Sequence, residues 1–253
     1  MVPAGEAEGG AGNVARQLRA YGVDAVLVPT GHQPKVRVLA GVPPREVFRL
    51  DGVWAAPASE TMARAAVEIA RRTFSAAVYV DYQGRAGPAP GAAVVLAGLP
   101  RGECPLLVDA RSSLEGWWGV DLLKMHISDA GLGESPNPTE VRAALERSGA
   151  FRLILTRGAA GHILVGPRWI SPRPAVQLEG PVLNTSGAGD IFTATLAALV
   201  AGRPSLLANR GQLEGAAEIA SRAAALRVRK SGYNEAVTSE EMAPWWPSGT
   251  PSP

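Results

Sequence analysis

Leu183 to Leu196 reads Leu-Asn-Thr-Ser-Gly-Ala-Gly-Asp-Ile-Phe-Thr-Ala-Thr-Leu, a turn of small residues that runs straight into an apolar segment. Gly187, Ala188 and Gly189 carry nothing larger than a methyl group, so their backbone N–H groups stay unshielded where a helix begins. A helix start combines unpaired amides with the positive end of the helix dipole, and it suits a phosphate or a developing alkoxide. Asp190 falls in the first helical turn. A carboxylate there can take a proton from a hydroxyl while the amides stabilise charge on a transferring group. The pattern also serves a plainer purpose, because a first-turn acid and two glycines make an ordinary helix start.

Outward from this turn, the spacing of apolar residues predicts helices over Gly189–Ala201 and Gln212–Arg229, and strands over Arg152–Thr156 and His162–Val165. Further back, Asn13–Tyr21 reads as a helix stopped by Gly22. Helical patterns also fall over Ser59–Arg72, Ala89–Leu99 and Thr139–Ser148, the last with Thr139 as its cap. Strands are expected at Ala77–Asp81, Pro105–Asp109 and Asp121–His126. Short runs at Ala25–Val28, Lys35–Ala40 and Glu46–Asp51, set off by prolines, suit a small edge sheet. Strands alternating with helices predict an α/β fold, a doubly wound, mostly parallel sheet, because parallel neighbours need crossover connections. Ligands in such sheets sit beyond the carboxyl ends of the strands, where Asp81, Asp109, His126 and Thr156 fall. The tail beyond Met242 reads as irregular, over about 243–253.

Bulk properties narrow the function classes. The 253 residues are long enough for one large core, so a single domain over 1–253 is expected. Lys and Arg total 25 against 23 Asp and Glu, which gives no electrostatic case for a nucleic-acid or membrane-surface partner. The one cysteine, Cys104, cannot form an internal disulfide, and no apolar run reaches the length of a membrane span, so a cytoplasmic location is expected. A dinucleotide-binding reading fails because Gly9-Gly10-Ala11-Gly12 has neither the G-x-G-x-x-G spacing nor a strand before it. The three histidines, His32, His126 and His162, offer no poised base for a serine or cysteine nucleophile.

Several segments, in the right order, resemble the ribokinase (PfkB) family of carbohydrate kinases. Gly9-Gly10-Ala11-Gly12-Asn13 is similar to the family's N-terminal Gly-Gly-x-x-Asn, and Asn184–Asp190 to its Asp-Thr-x-Gly-Ala-Gly-Asp signature. Thr156-Arg157-Gly158 with Gly161 resembles the turn near the nucleotide, and Ala216–Lys230 the late helix beside the adenine. Within the family, Lys35–Leu39, Phe48–Asp51, Asp81-Tyr82 and Val108-Asp109 are similar to the heptose-phosphate kinases of ADP-heptose synthesis.

The resemblance implies ATP-dependent phosphorylation of a sugar or sugar phosphate. Asp190 would be the general base and Gly187, Ala188 and Gly189 the anion hole. Gly9, Gly10, Asn13, Lys35, Arg37 and Arg49 would face the sugar, the three cations suiting a phosphorylated one. Thr156, Gly158, Gly161, Ser186 and Ser221 would face ATP, which would come with Mg2+. Strands 35–51 would form a lid, and since two strands are marginal alone, the lid could pack on a second copy as a homodimer.

Departures from the family pattern fall in the same places. About one strand and hairpin of the family is expected to be absent before Gly9, and another segment after Tyr21. Gln83-Gly84-Arg85 moves a cation by one residue, and Lys124-Met125-His126 followed by Asp129 replaces the Thr-Pro-Asn and Glu that contact Mg-phosphate. Asn184 stands for the first Asp of the signature, which weakens the monovalent-cation site that the family has there. These departures favour an alternative role, a catalytically impaired relative that binds nucleotide or sugar, or serves as a partner subunit. The paired tryptophans Trp117-Trp118 and Trp245-Trp246 read as packing.

Overall fold

The structure, a computed structural model, describes residues 9–27, 35–40, 45–51, 67, 73–82, 99, 104–111, 113–177, 179–232 and 235–247. Six strands form one sheet in chain order: β3 (Ala77–Asp81), β4 (Leu106–Ala110), β5 (Leu122–His126), β6 (Leu153–Thr156), β7 (His162–Gly166) and β8 (Trp169–Arg173). The pairs from β3 to β6 are parallel, and β7 and β8 are added antiparallel. A separate antiparallel ribbon pairs β1 (Lys35–Ala40) with β2 (Arg45–Asp51). The fold is therefore the expected α/β sheet, mixed and mostly parallel.

Side chains alternate along the strands and supply two cores. Val108, Leu123, Leu153, Leu155 and Val165 meet α2 (Pro138–Ser148) on one face with Trp117. Leu107, Leu122, Ile154 and Leu164 meet α3 (Ala188–Gly202) and α4 (Arg210–Arg227) on the other. Each fully buried leucine contributes on the order of 2 kcal/mol, so the strands read as continuous apolar runs because both faces are covered. α3 is buried from Asp190 through Val200, as a helix with neighbours all round must be. It packs against α1 (Gly10–Ala20) as well as α4.

Some expectations are corrected. α1 starts at Gly10 with Gly9 as its N-cap, so the glycine run lies inside the helix. Val14, Ala15 and Gln17 are buried, and tertiary packing outweighs the low helix propensity of glycine. The strand expected at Ala25–Val28 does not form: residues 25–27 are irregular, and Val28 lies outside the described residues. α2 is capped by Asn137 and not by Thr139. The Asn137 side chain accepts from the Thr139 and Glu140 amides at 2.9 and 3.0 Å, and Glu140 returns a bond to the Asn137 amide. Pro138 sits at the first helical position, where no amide is missed. Strand β8 was not expected. Pro172 interrupts its pattern, which an edge strand tolerates.

The tail is more ordered than expected. Thr238 and Glu241 form a capping box on the short helix α5 (Ser239–Met242), and a 3₁₀ turn follows over Ala243–Trp245. The Trp246 ring packs at a tilt against Tyr21, with centroids 5.2 Å apart. Gln17, fully buried, bonds both the carbonyl and the amide of Val237, at 2.6 and 2.9 Å, and so pins this tail to α1. The helices expected over Ser59–Arg72 and Ala89–Leu99 lie outside the described residues, apart from Val67, which is helical, and Leu99. So do residues 1–8, where the absence of a first strand was expected.

His162 opens β7, 2% exposed, with its ring edge-on to Phe192. Burial first, then the charges of Arg173 and Arg157, push its pKa down to about 4. Between the ordinary 6.5 and about 4 the unfolded chain binds a proton that the fold excludes, so stability falls as pH drops through that window. The expected loss is about 3 kcal/mol by pH 4. Urea denaturation of the wild type and His162→Phe between pH 7 and 4.5 checks it, and the variant should show the flatter dependence.

Candidate active site

The carboxyl ends of β3, β4 and β5 and the start of α3 meet at one point. Gly187 caps α3 with φ +79°, a left-handed conformation that a side chain would strain. Asp190, one turn on, is 4% exposed. Its carboxylate accepts a hydrogen bond from Asn13 Nδ2 of α1 at 2.7 Å and another from the Tyr82 hydroxyl at the end of β3. The Tyr82 ring is held between Gly10, where a Cβ would come within 2.3 Å of it, and the Arg111 guanidinium 4.4 Å from its centroid.

A second carboxylate lies beside the first. Asp109 of β4, 1% exposed, accepts from Lys124 Nζ of β5 at 2.9 and 2.8 Å, and from the Thr193 hydroxyl at 2.7 Å. The same ammonium reaches the Gly189 carbonyl at 3.3 Å, and Thr193 lies 3.0 Å from that oxygen. The sheet ladder, in which Asp109 pairs with Lys124, thus extends into the turn that leads α3. Tyr82 also contacts Asp109 at 3.4 Å.

Electrostatics follow from this crowding. Burial, then the charge of Asp109, raise the Asp190 pKa above its ordinary 3.8, while the bonds from Tyr82 and Asn13 and the Lys124 charge hold it back. Burial, then Asp109 and Asp190, drive the Tyr82 phenol well above its usual range. Tyr82 therefore stays a proton donor, and Asp190 is a buried carboxylate that already accepts from a hydroxyl. That is the contact an acceptor alcohol needs in order to lose its proton.

The expected site residues are distributed as follows. Gly9, Gly10 and Asn13 stand at the start of α1, and of these Asn13 bonds Asp190 while Gly10 lies under Tyr82. Lys35, Arg37 and Arg49 are in the ribbon, with Arg37 opposite Arg49. Their side chains lie outside the described residues. Thr156 bonds the Met125 carbonyl at 3.2 Å, and Gly158 and Gly161 flank a 3₁₀ turn. Gly161 has φ +92°, and a Cβ would come 2.1 Å from the Arg173 carbonyl, so only glycine fits. Ser186 donates its amide to Asn184 Oδ1 at 2.9 Å, and Ser221 accepts from the Val176 amide at 3.5 Å. Roles for Tyr82, Lys124 and Thr193 were not read from the sequence. A signal existed for Lys124, because a lysine inside Leu122-Leu123-Lys124-Met125 must find a buried anion.

Gly187 lines a shallow, open cleft together with Asn13, Arg16, Ile191 and Arg227, among others. Among the described residues no group of three His, Cys, Asp or Glu could hold an ion. Both carboxylates at the turn are already engaged, Asp109 by an ammonium. No helix among the described residues is long and apolar enough to cross a membrane.

A six-stranded, mostly parallel sheet with an aspartate one turn into a Gly-Ala-Gly helix start defines a ribokinase-like α/β protein. The profile of the pfkB family carbohydrate kinases matches residues 46–240, and the chain belongs to that family. It is similar to the bifunctional protein HldE of Gluconobacter oxydans, 31% identical over 224 residues, 83% of this chain and 43% of that one. It is also similar to HldE of Caulobacter vibrioides, 29% identical over 92% of this chain and 54% of that one. The chain thus spans about half the length of the curated relatives it matches. In fold it is similar to Escherichia coli phosphofructokinase-2 in complex with potassium, with TM-score 0.67, 14% identity and coverage of 96% and 91% of the two chains. Thermotoga maritima ribokinase gives TM-score 0.62, 14% identity, and 94% and 86% coverage.

Proposed function

We propose that this chain transfers the terminal phosphoryl group of ATP to a hydroxyl of a sugar or sugar phosphate, with Asp190 as the general base. The observation that carries the reading is Asp190 itself, buried in the first turn of a helix that starts at a glycine with φ +79° and accepting a hydrogen bond from a hydroxyl. ATP would supply the phosphoryl group. The chain's part is to hold anionic oxygens at the amides of Gly187 and Gly189, to take the alcohol proton on a carboxylate oxygen of Asp190, and to keep both groups in place through Lys124 and Thr193. In this reading the acceptor hydroxyl takes the place on Asp190 that the Tyr82 phenol now holds, so sugar binding requires the phenol to leave. The expected substrate is anionic or neutral and small, and the HldE relatives favour a heptose phosphate. Mg2+ would enter with the nucleotide phosphates and not on a protein site. We infer a cytoplasmic enzyme, and an association of two copies through the β1–β2 ribbon remains part of this reading.

One observation favours a second reading. Asn13 and Tyr82 together already satisfy Asp190, the arrangement expected of a relative that keeps the fold and binds nucleotide or sugar without turnover. Assay of ADP release from Mg-ATP over free and phosphorylated sugars separates the two. The kinase reading expects release that depends on one sugar class. Heat from Mg-ATP binding in calorimetry, with no release for any sugar, replaces it with the second reading.

A further inference from the structure

Arg227, the last residue of α4, is 1% exposed, among the largest fully buried side chains of the described residues. Burying a guanidinium costs several kcal/mol unless fixed acceptors surround it. Here the acceptors are backbone carbonyls of the segment that leaves the helix: Nη1 donates to Lys230 at 3.2 Å and Nη2 to Gly232 at 2.7 Å. Asn184 Nδ2 donates to the intervening Ser231 carbonyl at 3.3 Å, and the amides of Leu183 and Asn184 donate to Val228 at 2.8 and 3.1 Å. Of the four carbonyl oxygens so engaged between 228 and 232, two therefore accept from the Arg227 guanidinium and two from Leu183 and Asn184, in the segment that leads into the turn before α3. Carbonyls gathered in this way are the chemistry of a cation site. What meets two of them is the chain's own cation.

The location gives that charge a use. The Arg227 Nε lies 3.7 Å from where a Cβ on Gly187 would stand, and Asp190 Oδ2 lies 3.9 Å from the same point. Arg227 also lines the cleft beside Gly187. The positive charge thus sits beside Gly187, while a second cation, Lys124, stands 3.0 Å from where a Cβ on Gly189 would be. A guanidinium keeps its charge at any working pH and cannot dissociate. In a site shielded from water it raises the potential at the turn's amides more than an exposed charge would.

We propose that Arg227 is a positioning residue that gives the phosphate-binding turn a fixed positive charge, so that ATP binding needs no dissociable monovalent cation. The inference rests on the kinase reading for its ligand and is tested by binding alone. ATP affinity is measured by calorimetry at constant ionic strength in potassium chloride and in tetramethylammonium chloride. The wild type should bind equally in both, within about twofold. Arg227→Met should bind about tenfold more weakly and recover part of that loss with millimolar guanidinium, a rescue that a purely structural role would not show. Arg227→Lys, which keeps the charge, should retain most of the affinity and carries the comparison if Arg227→Met does not fold. Potassium-dependent binding by the wild type, or a folded Arg227→Met that binds ATP like the wild type, overturns the proposal. Arg227-dependent ATP binding with no ADP release for any sugar would sink the kinase reading and leave this inference standing. A wild type that binds no ATP overturns both.

Discussion

Asp190→Asn is expected to lower turnover by roughly 10²- to 10⁴-fold, the usual cost of losing a general base. The fold should survive, because an asparagine oxygen still accepts from one of the two donors now on Asp190, Asn13 and Tyr82. Loss of the other bond costs about 1 kcal/mol. The contrast between a large rate effect and a small stability effect separates a base from a helix-start acid. The pH profile adds a sign. The Asp190 pKa lies above 3.8, so wild-type turnover should fall on the acid side at a pH above that value, as protonation removes the acceptor oxygen. Steady-state rates of both proteins over pH, with their melting temperatures, check this. A variant as fast as the wild type removes Asp190 from the mechanism.

The second large effect falls on stability. Lys124→Met should destabilise the fold by about 3–5 kcal/mol, because it leaves Asp109, 1% exposed, as a buried charge without its ion partner. Thr193 would remain on Asp109 Oδ2, but a hydroxyl cannot neutralise a carboxylate. The double variant Lys124→Met/Asp109→Asn should recover much of the loss, since the uncompensated charge is then gone as well. Urea denaturation of the two single variants and the double variant measures the coupling. A Lys124→Met protein as stable as the wild type would show that the pair is not buried in solution. Because Lys124 also reaches the Gly189 carbonyl, its loss should loosen the turn and weaken ATP binding, whereas Asp190→Asn should leave ATP binding nearly intact.

The two variants also mark where sequence reading succeeds and where it stops. The helix start at Gly187 to Asp190 could be read directly, because small residues there run straight into an apolar segment, and strand β5 could be read from Leu122 to Met125. The partners of these residues could not be read. Asn13 and Asp190 are 177 positions apart, Tyr82 and Asp190 are 108 apart, and no local pattern records such contacts. The start of α1 was missed because Gly10 and Gly12 argue against a helix that only packing on α3 can hold. The cap at Asn137 was legible, because Pro138 at the first helical position and Glu140 three residues on both mark a helix start, and the choice of Thr139 overlooked them. Arg227 was not singled out in the sequence, because the carbonyls of Lys230 and Gly232 that it meets are brought to it only by the fold of the chain beyond α4.

The most direct test of the central claim is the product itself. Wild-type protein, Mg-ATP and the sugar that gives the greatest ADP release should be followed by phosphorus NMR. A new phosphate-ester resonance coupled to a sugar proton should grow in step with ADP and be absent with Asp190→Asn. ADP accompanied only by inorganic phosphate, or an ester formed as fast by Asp190→Asn, would contradict the claim.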